Sequence, residues 1–232
     1  MTRAWLAALC LLLAGCGSAG GEEGAADGAA SLWITRDRGE TVLYAGQVEA
    51  GQTVLQALRS QMEVETKYGG RFVQSIDGLE GSLAEGRDWF VYLNGVFADR
   101  SAAELRLQDG DVAWWDYGDW EGEQERAVVV GAFPEPFVNG YGGKRRETVV
   151  AYEGEDLRAG AEAIARLLGA PAVPLERVRL AGDVNVFYLV PGPPRFQAEA
   201  DSPGGPYRFT FSGDALALAR DPGRYRYRFE VP

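Results

Sequence analysis

The sequence predicts an α+β protein built from two small units that follow one another along the chain. In residues 31–124, strand-like segments flank a single amphipathic helix, and in residues 125–232 a second helix again lies between strand-like segments. About 200 residues remain after the N-terminal leader, which is enough chain for two small cores. With 46% hydrophobic residues, the chain has the composition of a globular protein.

The first unit is predicted in the order β-β-α-β-β-turn-β. Segments 31–37 and 40–50 have the residues of two strands joined near Arg38-Gly39. Thr53 and Gln56 have the spacing of a capping box, which predicts the start of a helix. Segments 71–78, 88–93 and 111–117 are the remaining strands, and Asn94-Gly95 is a strong hairpin signal. Ser101 and Glu104 have the spacing of a second capping box. One helix on one mixed sheet would bury these faces.

The second unit is predicted to begin with a strand at 128–133, which Pro134 and Pro136 end. Further strands are expected at 147–152, 184–190 and 206–212. A helix is predicted between the strands at 147–152 and 184–190, because apolar residues recur there at helical spacing and Pro171 follows them. The apolar stripe of that helix consists of Leu157, Ala161, Ile164, Leu167 and Leu168.

Four motifs of the first unit occur in the order seen in a known family: "TVLQAL", "FVQSIDGL", "WFVYLNG" and "LQDGDVAWW". Together they resemble the C-terminal domain of the transcobalamin and intrinsic-factor type, a β-grasp module grouped with soluble-ligand-binding domains. The resemblance implies a β-grasp-like fold for residues 31–124 and a role in binding a ligand or a partner. In those vitamin carriers the module covers one side of cobalamin, and a large helical barrel, for which this chain has no counterpart, holds the other side. No cofactor is therefore predicted, with cobalamin as the remaining candidate.

Aromatic residues on the two long strands of the first unit are the candidate ligand-binding residues. Side chains alternate between the two faces of a strand, and a sheet with one helix layer has one open face. We predict that Trp89, Val112 and Trp114 belong to the core. The candidate binding platform on the open face then consists of Phe90, Tyr92, Trp115 and Tyr117. The alternative is that the second unit covers these rings as an interdomain core.

The last predicted strand, "RYRYRFEV", alternates cations with aromatic residues. Tyr225, Tyr227 and Phe229 are expected to point inward. Arg224, Arg226 and Arg228 then form an outward basic stripe, which is a candidate surface for an anionic partner. The alternative is ordinary pairing with acids of the same chain, such as Glu147.

The N-terminus has the features of a bacterial lipoprotein leader. An apolar run follows Arg3 and is too short to span a bilayer as a helix. It ends at Leu13-Ala14-Gly15-Cys16, which resembles a lipobox and implies cleavage before Cys16 and a diacylglyceryl group on its sulfur. We predict a signal peptide at 1–15 and a flexible tether at 16–30. The predicted location is the extracytoplasmic face of the cell membrane. An ordinary secretory signal is the alternative.

Composition excludes several classes of function. The chain has 0 His, and its 2 Cys both lie in the first 16 residues, which argues against His-dependent catalysis and His-ligated metals. The net charge of −11 disfavours nucleic acid as a partner. The acids Asp116, Asp119, Glu121 and Glu123 match no calcium loop and are expected to form a solvated linker. We therefore predict a non-enzymatic, metal-free lipoprotein that binds a small ligand or a protein partner. A structural or assembly module of the cell surface is the alternative.

Overall fold

A computed structural model describes residues 28–120, 126–179 and 182–232 of the chain. Cys16, the leader and most of the tether, together with Glu121 and Glu123, lie outside the described residues. The described chain has a mixed α+β architecture with three sheets and three α-helices.

The main sheet of the first unit has five strands. Its order is β2-β1-β8-β6-β7, and β1 and β8 run parallel at its centre while all other neighbours are antiparallel. Its strands are β1 Ala29–Arg36, β2 Thr41–Glu49, β6 Arg87–Leu93, β7 Val96–Phe97 and β8 Val112–Asp119. A smaller sheet, β3-β4-β5, lies beside it and consists of Val64–Lys67, Phe72–Ile76 and Leu79–Glu80.

The helix of this unit, α1, spans Val54–Gln61. It starts where the sequence predicts it, because both hydrogen bonds of the capping box are present. The backbone N–H of Gln56 donates to Thr53 Oγ1 at 3.1 Å, and Thr53 N donates to Gln56 Oε1 at 2.8 Å. Leu55 and Leu58 are buried in the core. The predicted Asn94-Gly95 turn is also present, with both residues at positive φ between β6 and β7.

The second sheet has the order β10-β9-β11-β13-β12, with β12 antiparallel to β13 and the other pairs parallel. Its strands are β9 Thr148–Tyr152, β10 Ala172–Pro174, β11 Asn185–Leu189, β12 Arg195–Ala200 and β13 Tyr207–Ser212. Two helices accompany it, α2 at Arg158–Leu168 and α3 at Ala215–Arg220, and they pack against each other. Gly169 ends α2 in the left-handed conformation, as a C-terminal glycine does.

The stretch that follows residue 125 joins the two sheets. The predicted strand at 128–133 is wrong, because Val130–Ala132 form a 3-10 turn instead. Val129 and Ala132 pack on the first sheet around Trp114. The rings of Phe133 and Phe137 turn the other way and meet aromatic residues of the second sheet, with Phe137 4.8 Å from Phe209 between ring centroids. One hydrophobic cluster therefore runs through both units, and a second cluster surrounds Trp114 on the other face of the first sheet.

The C-terminal segment is not the strand that the sequence predicts. Pro222–Tyr225 form a 3-10 turn, Tyr227 has a φ of 65°, and only Val231 forms an isolated bridge, to Phe196. Tyr227 packs against Trp33 of β1, with 5.0 Å between ring centroids. The hairpin turn before β2 lies close to the same residue, since a Cβ on Gly39 would overlap the carbonyl oxygen of Tyr227. The tail therefore packs on the first sheet through Tyr227 and meets the edge of the second sheet through Tyr225 and the bridge at Val231, without forming a strand.

Within the described ranges, no helix is both long and apolar enough to cross a bilayer.

Candidate functional site

The four rings of the predicted platform do not share an open face. The register of β6 and β8 pairs Tyr92 with Trp114 and Val91 with Trp115. Phe90 and Tyr92 therefore lie on the side of Trp114, whereas Trp115 and Tyr117 lie on the opposite side with Trp89. The prediction of an open aromatic surface is wrong, because the exposed fractions of Phe90, Tyr92, Trp115 and Tyr117 are 6%, 0%, 2% and 6%.

Both faces of the first sheet are covered, and this explains the burial. Val129, Ala132 and Phe229 cover the face of Trp114, so the covering of Phe90 and Tyr92 by the second half of the chain is confirmed. The prediction that Trp89 shares a core with Val112 and Trp114 is wrong. Trp89 lies on the helix side of the sheet, with 5.2 Å between its ring centroid and that of Tyr117.

A cavity of about 300 Å³ opens on the helix side of the sheet, between α1, β4 and β6. We call it the indole cavity, because two tryptophans form part of its wall. The apolar lining residues include Leu55, Phe72, Val73, Trp89, Val91 and Trp115, and the polar ones include Arg71, Asp99, Arg100 and Ser101. An apolar wall with a few polar groups is the usual composition of a small-ligand site.

The indole N–H of Trp115 has no hydrogen-bond acceptor among the described residues, although the atom is buried. The indole N–H groups of Trp89 and Trp114, the other two tryptophans of β6 and β8, are satisfied. Trp89 Nε1 donates to the carbonyl of Leu79 at 2.8 Å, and Trp114 Nε1 donates to Thr35 Oγ1 at 2.7 Å. Leaving a buried donor unpaired costs about 1–3 kcal/mol, so buried polar groups are nearly always paired. A residue of the cavity wall thus carries a buried, unpaired donor.

The mouth of the cavity is held by a small polar network. Arg100 Nε donates to Asp99 Oδ1 at 2.8 Å, and the hydroxyl of Tyr141 donates to the same oxygen at 2.6 Å. The hydrogen bond from Arg100 is the main reason that the pKa of Asp99 lies below its usual range. Ser101 Oγ donates to the carbonyl of Arg71 at 2.9 Å. Arg71 is also exposed at the entrance, where its Nη2 lies 3.8 Å from Glu104 Oε1, so both arginines of the entrance are paired with carboxylates.

The acidic residues that the sequence places near this site have structural roles. Asp116 is fully buried, and its carboxylate accepts hydrogen bonds from Thr35 and from the backbone N–H groups of Arg38 and Gly39. Burial is the largest influence on Asp116 and raises the pKa of its carboxyl. Asp119 lies 3.9 Å from Arg87. The described residues contain no group of three or more acidic, His or Cys side chains that could hold a metal ion.

The basic residues of the tail are exposed although the predicted strand is absent. Arg224, Arg226 and Arg228 alternate with more buried aromatic residues. The guanidinium of Arg226 lies 5.4 Å from the ring centroid of Trp33, and that of Arg224 lies 5.2 Å from Tyr225. Within the described part of the chain, none of the three forms an ion pair with Glu147 or another carboxylate. A role in binding an anionic partner stays a prediction.

One family model matches part of the first unit. Residues 51–119 match a family described as a domain of unknown function, DUF4430, and every residue that lines the indole cavity lies in this range. No curated protein matches the chain.

Two solved structures are similar to part of the chain. A proposed metal-binding protein from Ruminococcus gnavus is 14% identical, with a TM-score of 0.35 over 40% of this chain and 98% of its own. Haptocorrin in complex with Cbi is also 14% identical, with a TM-score of 0.34 over 40% of this chain. The similar region spans 26% of the haptocorrin chain. The chain is therefore similar to DUF4430 proteins over residues 51–119. It is similar to each of these two structures over 40% of its length.

Proposed function

We propose that this chain is an extracytoplasmic lipoprotein, anchored to the cell membrane through Cys16, whose first unit binds a small ligand in the indole cavity. The observation that carries the ligand-binding part is the buried N–H of Trp115, which has no acceptor among the described residues and lies in the wall of a cavity. We assign this unit to the β-grasp type, which is supported by the mixed sheet with parallel β1 and β8 at its centre and by α1 on one face. The proposed role is binding and not catalysis.

The cavity limits the chemistry of the ligand. Its volume of about 300 Å³ lies at the lower end of small-molecule sites. A cofactor as large as cobalamin would therefore not be enclosed by this cavity. We infer a compact ligand with an apolar body, a hydrogen-bond acceptor for Trp115 Nε1 and a polar group near Arg71 and Arg100. A thermal-shift screen of exported small molecules would identify candidates, because a ligand that binds only the folded state stabilises it.

The Trp115→Phe variant tests the site, and Trp89→Phe is its matched control. Both changes shorten a buried ring and delete an indole N–H, but only the N–H of Trp89 has a partner. We expect Trp115→Phe to lower the free energy of unfolding by about 1 kcal/mol less than Trp89→Phe does, and to weaken ligand binding about tenfold. Urea denaturation and titration with the screened ligand measure the two effects. Equal losses of stability would mean that the N–H of Trp115 is already satisfied.

A surface-assembly role is the second candidate. Tyr68 and Leu83 are 80% and 84% exposed and line a groove next to the indole cavity, together with Phe72. Exposed apolar residues that lie together often mark a protein contact. The Trp115→Phe experiment separates the two roles, because an assembly surface would be unaffected by a change inside the cavity.

The membrane anchor is tested by Cys16→Ala. The apolar run ending at Leu-Ala-Gly-Cys supports a lipid on this sulfur, and a double-chain anchor holds a protein stably on a bilayer. We expect the variant to appear in the medium or to remain as uncleaved precursor, as measured by fractionation and by the mass of the N-terminal fragment. Cys10→Ala is the control and should behave like the unchanged protein. A cleaved Cys16→Ala protein that stays in the membrane fraction would refute the anchor.

A further inference from the structure

A larger cleft lies in the second unit, far along the sequence from the indole cavity. Its volume is about 770 Å³, and it is located at the start of β9, beside β10 and the segment that follows β10. We call it the valine–arginine cleft. Four arginines line it: Arg145, Arg146, Arg177 and Arg179. In a chain with a net charge of −11, such a concentration of positive charge in one concave site is unexpected.

Most of this charge is not neutralised by the described residues. Arg145 uses Nε and Nη2 to donate to the carbonyls of Phe137 and Leu168, at 3.1 and 3.0 Å. Arg179 Nη1 donates to the carbonyls of Glu176 and Val178. These bonds orient the guanidinium groups, yet a neutral carbonyl does not cancel their charge.

The other two arginines differ from each other. Arg146 is paired with Asp183, with 2.6 Å between Nε and Oδ1. Arg177 forms no ion pair within the described ranges and is exposed to solvent. Glu147 is the acidic residue of the lining. The cleft therefore has an excess of positive charge, which favours an anionic ligand.

The remaining lining is aliphatic. Val149, Val173, Val178 and Val184 line the cleft and are all partly exposed. Thr148 also lines it, is 8% exposed, and has a hydroxyl without a hydrogen-bond partner among the described residues. Partly exposed valines gain free energy when an apolar group covers them. An inorganic anion would use the arginines and leave the valines in water.

We propose that the valine–arginine cleft binds a free amphipathic organic anion. A carboxylate or phosphate headgroup would lie against Arg177 and Arg179, and a short aliphatic chain would lie on the valines. Arg145, which is held by its bonds to backbone carbonyls, supplies further positive charge at the same site. Guanidinium groups suit this role because they donate two parallel hydrogen bonds to a carboxylate or a phosphate.

Isothermal titration of the full 232-residue chain with four probes tests the proposal. Octyl phosphate and octanoate combine the headgroup with the chain, inorganic phosphate has the headgroup alone, and octyltrimethylammonium has the chain with the opposite charge. We expect saturable binding of octyl phosphate or octanoate, and which of them binds more tightly identifies the headgroup. Inorganic phosphate should bind at least about tenfold more weakly, since about eight methylene-sized groups are missing. The cation should not bind.

Variants locate the binding. Arg177→Gln with Arg179→Gln should weaken octyl phosphate binding by more than about tenfold, because each charge-assisted hydrogen bond lost is a large part of the affinity. Arg195→Gln with Arg220→Gln removes the same charge from exposed positions elsewhere and should leave the affinity within about twofold.

Three results would overturn the proposal: no saturable binding of either amphiphile at millimolar concentration, equal affinity for inorganic phosphate, or equal losses in the two arginine pairs. Arg177 and Arg179 are exposed, so the variants are expected to fold, and their thermal midpoints provide the check. Should the double variant be unstable, Arg177→Gln alone gives the same comparison against Arg195→Gln.

Discussion

Replacing Trp114 with alanine is expected to lower the free energy of unfolding by about 3–5 kcal/mol, the usual cost of truncating a large core aromatic residue. Trp114 is fully buried between the first sheet and the C-terminal tail. Its ring centroid lies 5.1 Å from Phe229 and 5.9 Å from both Trp33 and Tyr92. The substitution also removes the hydrogen bond from Nε1 to Thr35.

Urea denaturation followed by circular dichroism measures this loss, and Trp120→Ala is the matched control. Trp120 is half-buried and packs only at the margin of the same cluster, so its truncation should cost much less. Phe229→Ala tests the contact between the sheet and the tail. Because Phe229 touches Trp114, the two substitutions should not be additive. A Trp114→Ala loss no larger than that of Trp120→Ala would show that the tail does not cover the sheet in solution.

Replacing Glu135 with glutamine is expected to remove a large part of the pH dependence of stability. Glu135 is 4% exposed, and its Oε2 accepts a hydrogen bond from the backbone N–H of Asn139 at 2.8 Å. Burial raises the pKa of this carboxyl from 4.5 to about 7, and the nearby charge of Asp111 adds to the rise while Arg145 opposes it. The neutral form is therefore the one that the folded protein favours.

The direction of the effect follows from this rise. A pKa that is higher in the folded state means that the stabilisation is complete below the unfolded value of 4.5 and is lost as the pH rises through about 7. The stability of the unchanged protein relative to Glu135→Gln should fall by about 3 kcal/mol between about pH 4.5 and about pH 8. Burial also raises the pKa of Asp111. Its contribution to the pH dependence of stability has the same sign and is present in both the unchanged protein and Glu135→Gln.

Thermal and urea unfolding across this pH range measure the difference, with Glu153→Gln, a change at an exposed position, as the control. At about pH 8 the Glu135→Gln protein should be the more stable of the two. Parallel stability curves for Glu135→Gln and the unchanged protein would mean that Glu135 ionises in the folded state as readily as it does in water.

Features that depend on neighbouring residues could be predicted well. The Thr53–Gln56 capping box places the first turn of α1, and the Asn94-Gly95 turn places the β6–β7 hairpin, since each is decided by residues within four positions. The end of α2 at Gly169 is a local feature of the same kind. The sequence does not predict the short strands β3 and β12. β3 has four residues and one apolar side chain, whereas β12 alternates but two of its three apolar residues are alanine, a weak strand former.

The site depended on contacts that no local pattern contains. Side chains alternate along β6 and β8, so each strand has two faces. The predicted core and the predicted binding platform each combine residues from both faces, because the register between the two strands is set by the rest of the sheet. The unpaired N–H of Trp115 has no sequence signal at all, because it depends on which acceptors the fold brings near. "RYRYRFEV" alternates as a strand does. It forms no strand, because a 3-10 turn that begins at Pro222 leads into it and its Tyr227 packs on Trp33 and Trp114 of the first sheet.

The sequence by itself determined the α+β class, the capped helix and hairpin of the first unit, and the outward direction of the tail arginines, because short-range chemistry decides each of them. The tertiary structure alone decided what covers each face of the first sheet, where cavities remain, and which buried donors lack partners. These depend on packing between residues that lie up to about 200 positions apart, such as Trp33 and Tyr227. Alternation shows that a side chain points to one face of a strand, but only the packed chain determines what that side chain meets there.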